Sequence, residues 1–199
     1  MKKKILSLLL SGLMTFSVAS AASADRENIA QVALLQSLAQ GYFDGTITVK
    51  ELRGLGDIGI GTFKGLNGEM ILLDGTCYQA LGNGQVVIAD DKDSVPFANV
   101  TFFDKDISVK IEKNLDKAGL ENCLTQVVKE NGENSFYMVK LHANFPYILF
   151  RSEYGSQRPY PTLVEALKEK QTEFTEKNIK GTLVGLYCPG FAGGLNSVG

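Results

Sequence analysis

A single histidine, His142, and three cysteines, Cys77, Cys123 and Cys188, are the soft ligands and strong nucleophiles of this chain. With a single histidine no Ser-His-Asp or Cys-His set is plausible. Three cysteines without a CxxC spacing make neither a zinc ribbon nor a disulfide framework. They read as three buried thiols, with one disulfide allowed in an oxidising compartment. What remains is a hydroxyl, carboxylates and guanidinium groups. Thr62 closes the run Gly59-Ile60-Gly61-Thr62, whose alternate positions are bare, and Glu69 opens the next apolar run. Bare backbone, then a hydroxyl, then a carboxylate on the adjoining strand would line a small polar pocket. A carboxylic acid there could move a proton. Glu69 suits equally well a strand start facing solvent, where most carboxylates lie. Arg151 falls where an apolar run ends. It is suited there to bidentate binding of a carboxylate, or to a surface ion pair with Glu153.

These side chains must be positioned by elements that the residue pattern outlines. Residues 26–43 carry Ile29, Val32, Leu35, Leu38 and Tyr42 at helical spacing. Thr48 and Glu51 form a capping box that opens a short helix closed by Gly54. Asp57 to Phe63 alternates as a strand, and its bare face invites a backbone or a ligand to approach. Glu69–Leu73 and Thr76–Ala80 flank Asp74-Gly75, the signature of a hairpin. Strands are expected over 85–89, 97–103 and 106–111. A helix is expected over 116–129, with Leu120, Leu124 and Val127 or Val128 inward. Ser135–Leu141 and Tyr147–Ser152 read as a hairpin around His142-Ala-Asn-Phe-Pro146. A loop follows over 154–161, a helix begins at Thr162, and a last strand covers Ile179–Tyr187. Strands cluster rather than alternate with helices. The expected class is therefore α+β, with mixed or antiparallel sheets and a few flanking helices.

Several functions are excluded. With 20 basic and 22 acidic side chains the net charge is −2, and no basic stripe runs between aromatics. Nucleic acid is not an expected partner. Gly54-Leu-Gly56-Asp-Ile-Gly59 matches G-x-G-x-x-G. A short helix precedes it and a strand pattern follows, the reverse of a dinucleotide site. His142, at the tip of the expected hairpin, reads as a solvated surface group.

The run Gly59-Ile-Gly-Thr62-Phe-Lys-Gly-Leu-Asn-Gly-Glu69-Met-Ile-Leu-Leu-Asp-Gly75 resembles the G-x-G-T-F-x-x-L-x-G-E-[ML]-I-x-x-D-G run of the α-acetolactate decarboxylases. Pro96-Phe-Ala-Asn-Val-Thr-Phe-Phe103 resembles that family's P-F-A-x-V-T-x-F strand. Leu149-Phe-Arg151-Ser, with Arg158-Pro-Tyr-Pro-Thr-Leu-Val-Glu165, resembles its Arg-ended strand and P-Y-P-x-L-x-E segment. Gly181 to Gly199 resembles the stretch that leads into its His-x-His pair. The resemblance runs co-linearly over about residues 27–199. It departs at Tyr154-Gly155-Ser156, where the family carries a Val-Pro link, and at Val198, where it carries Pro. It implies decarboxylation of 2-acetolactate to acetoin and CO2, with Glu69 in proton transfer, Arg151 orienting the substrate and Thr62 beside them. It also implies Zn2+ held by histidines that would lie beyond Gly199. No metal ligand is therefore expected within the chain, and the chain alone is expected not to hold the zinc in the family's way. The alternative expectation is a catalytically inactive secreted α+β binding or structural module.

Lys2, Lys3 and Lys4 precede the apolar stretch Ile5–Val18, and Ala22-Ser23-Ala24 fits a small-x-small cleavage site. The stretch is too short for a spanning helix, which needs about 20 apolar residues. Residues 1–24 are expected to be a signal peptide, and 25–199 an acetolactate-decarboxylase-like region that is secreted or periplasmic. The partners expected are a small 2-hydroxy-3-oxo acid, no membrane after cleavage, and a second copy of the chain as a candidate homodimer partner.

Overall fold

The computed structural model describes residues 26–193; the signal peptide expected over 1–24 and the tail Asn196–Gly199 lie outside them. In chain order the elements are β1 (Ala30–Val32), α1 (Leu35–Ala39), β2 (Ile47–Thr48), α2 (Val49–Leu52), β3 (Ile58–Thr62), β4 (Glu69–Leu73), β5 (Thr76–Ala80), β6 (Val86–Ile88), β7 (Ser94–Val95) and β8 (Phe97–Thr101). Then come α3 (Lys117–Asn131), β9 (Tyr137–Glu153), α4 (Leu163–Lys170) and β10 (Gln171–Tyr187). Among the described residues every strand pairing is antiparallel, in sheets of six, two and two strands. The α+β class expected from the clustered strands is the class observed.

The central sheet has the order β1-β8-β3-β4-β5-β6. Met70, Leu72, Cys77, Ala98 and Val100 project from one of its faces. They pack with Val49 and Leu52 of α2 and with Val95 into the main core. The other face carries Thr62 and Glu69, which are directly opposed in the β3–β4 register. The bare positions of β3 face β8 rather than a ligand. A Cβ on Gly59 would lie 2.2 Å from Asn99 O, and one on Gly61 would lie 2.3 Å from Phe97 O. A second core joins Leu38, Phe43, Leu66, Phe97 and Ala166, and so fixes α4 against α1 and the sheet.

Local signals translate directly. Thr48 and Glu51 form the capping box of α2, and Thr162 and Glu165 form that of α4. Asp116 caps α3 by accepting from Gly119 N at 2.8 Å. Asp74 and Gly75 both take positive φ at the β4–β5 turn, as a tight hairpin of right-handed twist requires.

Four expectations are corrected. The helix over 26–43 shrinks to α1, because Ala30–Val32 is captured as a strand by β8 and Ala33 turns at φ 58°. The strand over 106–111 is absent; Ile107, Val109 and Ile111 are exposed, with no neighbouring strand to pair with. In α3 only Val128 is buried, so most of its apolar side is half-covered. The hairpin around His142–Pro146 is instead one long strand, β9, paired along its length with β10. Pro146 lacks an N–H, and it falls at the single gap in that register, between the pairs Phe145–Ile179 and Tyr147–Lys177. Asn178, on the other side of the gap, takes φ 55°. His142 is thus an exposed mid-strand residue, 2.8 Å through Nδ1 from the Thr182 hydroxyl.

Candidate functional site

The end of β9 is held to the central sheet by short-range polar contacts. Ser152 donates through Oγ to the carbonyl of Ala80 at 2.6 Å. Ala80 is the register partner of Glu69 across β4 and β5. Just beyond, the chain passes so close to Gly82 that a Cβ there would lie 2.5 Å from Tyr154 N. Tyr154 N donates to Lys170 O at 3.0 Å and Ser156 N donates to Gly65 O at 2.7 Å. The loop that departs from the family's Val-Pro link is therefore seated on backbone on both sides. Beyond it, Arg158 and the Tyr160 hydroxyl bind Asp44, and the hydrogen bond from Arg158 holds that carboxyl below its usual value.

This seating delivers two charged side chains to Glu69. Arg151 and Glu153 are two residues apart on one strand and so share a face. Glu153 is 2 % exposed, and its carboxyl lies beside that of Glu69. Its Oε2 has no hydrogen-bond partner among the described residues. Arg151 is near enough for its charge to act on both carboxyls, and its Nη1 donates to Gln171 Oε1 at 3.3 Å. Burial raises the Glu69 carboxyl above its usual value, against the guanidinium and the hydrogen bond from Glu153. Burial, and then the charge of Glu69, push Glu153 up to about 8. Two carboxyls in one low-dielectric site cannot both ionise cheaply, so near neutral pH the pair carries one proton.

Thr62, Glu69 and Arg151 come together as the sequence suggests, with one difference. The Thr62 hydroxyl is buried and donates to Gly68 O at 2.9 Å, so it fixes the turn before β4. Glu153 was legible only as the other half of an ion pair with Arg151. Its burial depends on where β9 ends, which the expected hairpin placed wrongly. Asn99, also buried, has an Oδ1 without a partner among the described residues. The cysteines take no part. None is in a disulfide, Cys77 lies in the main core with its thiol pushed up to about 11, and Cys123 and Cys188 are half-buried.

Fold and site together define an antiparallel α+β protein whose polar centre is the buried Glu153 carboxyl beside the half-buried Glu69, with one guanidinium near them. The chain belongs to the alpha-acetolactate decarboxylase family, whose sequence profile matches residues 29–199. It is 38% identical over 169 residues to the alpha-acetolactate decarboxylase of Methanosarcina mazei, covering 85% of this chain and 58% of that protein. It is 38% identical over 171 residues to that of Brevibacillus brevis, with the same two coverages. The crystal structure of the Bacillus subtilis alpha-acetolactate decarboxylase matches with a TM-score of 0.80 at 33% identity, over 84% of this chain and 70% of that one. The chain thus spans 58% of the length of the first two relatives.

The raised carboxyl has a consequence for stability. Folded Glu153 keeps its proton to about pH 8, whereas a glutamate in the unfolded chain loses it near 4.5. The folded state therefore binds more protons between these values, and stability falls as pH rises through that window. Thermal melts from pH 5 to 9 are expected to show Tm declining with pH, and Glu153→Gln is expected to flatten the decline. A wild-type Tm that rises from pH 5 to 8 would contradict this.

Proposed function

We propose that the protein decarboxylates 2-acetolactate to acetoin and CO2, with Arg151 orienting the substrate carboxylate and Glu69 moving the proton. The observation that carries this reading is the placing of Arg151 near the half-buried Glu69 carboxyl, in a chain of this family. The substrate is a small 2-hydroxy-3-oxo acid whose carboxylate is matched by a guanidinium fork. Loss of CO2 leaves the bonding electron pair on carbon as an enediolate. A carboxylic acid beside it forms the new C–H bond, and delivery from one side favours one enantiomer. Thr62 supports Glu69 from the opposite strand by fixing the turn at Gly68.

Zinc belongs to this reading as an expectation from the family. Among the described residues no three His, Cys, Asp or Glu side chains gather as metal ligands. His142 is spent on Thr182. The described residues do not fit the ion, so no step is routed through it. We expect the 25–199 polypeptide to retain well under one zinc per chain after dialysis against a mild chelator.

The decisive test uses a chimaera that continues residue 199 with the segment following the matched region in the Brevibacillus brevis relative. This chimaera is expected to hold zinc and to form acetoin from 2-acetolactate. Its Glu69→Gln and Arg151→Ala versions are expected to lose at least about 100-fold in kcat/KM, the scale of a lost general acid or orienting charge. A folded, zinc-loaded chimaera that makes no acetoin would overturn the assignment, and stoichiometric zinc on 25–199 would reveal a ligand set formed some other way.

Export is the second part of the proposal, supported by Lys2–Lys4, the apolar stretch to Val18 and Ala22-Ser23-Ala24. No helix among the described residues is long and apolar enough to cross a membrane. Intact-mass measurement of the protein from its native host should give a chain beginning near Asp25 and recovered outside the cytoplasm. A mass that includes Met1 to Ala24 would refute cleavage.

A further inference from the structure

Glu153 is a buried charge-bearing group to which neither the family resemblance nor the reaction above gives a task. Its burial is nearly complete, and the strand that carries it is tied down on both sides, at Ala80 by Ser152 and at Lys170 by Tyr154. Its carboxyl lies beside that of Glu69, and its Oε2 is unpartnered among the described residues. A carboxyl is costly in such a place, and a methyl-bearing side chain would satisfy the packing at lower cost. The groups that face it are Glu69 from β4 and Arg151 from its own strand β9. From β10 it meets the neutral Gln171 as its register partner, and from the β5 end the neutral Gly82. One guanidinium thus faces two carboxyls, a set that is neutral overall only when the pair retains one proton.

We propose that Glu153 is a positioning residue that holds Glu69 through a single shared proton and makes the pair a one-proton reservoir for the reaction. The proposal rests on the decarboxylation reading for its use, but the shared proton exists with or without substrate. In the ground state the proton sits on Glu153 and Glu69 is the carboxylate that accepts it. When the enediolate forms, the proton passes along the hydrogen bond to Glu69 and from there to carbon. The C–H bond forms as the O–H bond breaks, and the electron pair of that O–H bond stays on the carboxylate oxygen. The pair is then doubly ionised beside Arg151, the least favourable state of the site, and it recovers a proton from water once product leaves. The raised carboxyls described above are what such a pair requires, and the geometry of β9 is what brings it about.

The test is a carbon-detected NMR titration of the chain labelled with 13C at glutamate Cδ, compared with Glu153→Gln and Glu69→Gln. In the wild-type protein one glutamate carboxyl is expected to titrate with a midpoint near pH 8. That transition should vanish in Glu153→Gln. In Glu69→Gln it should persist but become at least about tenfold more acidic, because the like charge is gone. Should Glu153→Gln fail to fold, the acid shift in Glu69→Gln decides the matter from the other side. A wild-type titration with every glutamate below about pH 6 would overturn the proposal. So would a late transition that is unmoved in both variants. A normal shared-proton titration alongside a zinc-loaded chimaera that makes no acetoin would sink the reaction and leave the pair. An active chimaera without a late-titrating carboxyl would do the reverse.

Discussion

The hydrogen bond from Ser152 Oγ to Ala80 O, 2.6 Å long, is the small interaction on which the site depends. Ala80 stands opposite Glu69 in the sheet, so whatever is fastened there is fastened beside Glu69. Because Ser152 lies between Arg151 and Glu153, fastening it sends both charged neighbours to the same place. The neighbouring contacts make this seat narrow. Gly82 leaves no room for a Cβ beneath Tyr154, and Gly65 receives the amide of Ser156. Such close backbone approach is a task for glycine, and it seats the loop that follows Arg151 against the central sheet.

The electrostatic logic follows from that placement. A buried carboxyl, a half-buried one and an exposed guanidinium are gathered at one place. Ionising both acids would leave an uncompensated charge, and removing the guanidinium would leave the pair without a counter-charge. Arg151 itself remains exposed, with Nη1 3.3 Å from Gln171 Oε1. Glu153 is buried. The contrast is therefore between an exposed cation and a buried acid beside a half-buried one, an arrangement that keeps one group proton-loaded at neutral pH.

What the sequence made legible was local chemistry. The Thr48–Glu51 capping box, the helix start at Thr162, the Asp-Gly turn and the apolar strand at Phe97 need only neighbours within a few residues, and all are found in the structure. The family motifs carried Thr62, Glu69 and Arg151 for the same reason: each lies inside a short, dense pattern. What failed was decided at long range. Val32 sits at helical spacing from Leu35, yet its partner is Ala98, far away in sequence. Pro146 looks like a strand breaker, but it occupies the one register gap in which a missing N–H costs nothing. Glu153 looked like a surface residue because nothing nearby in sequence buries it. Residues 80–82, at the end of a different hairpin, do so.

The central claim is that Glu69 and Glu153 act as one unit. A double-mutant cycle on stability at pH 7, using Glu69→Gln, Glu153→Gln and the double variant in urea unfolding, measures this directly. Residues that share a proton and a burial site should be coupled by at least about 1 kcal/mol, whereas independent sites add to within about 0.5 kcal/mol. A clear non-additivity is the expected result. Single effects that sum to the double within error would mean that the two carboxyls do not meet, and the site would have to be redrawn around Glu69 and Arg151 alone.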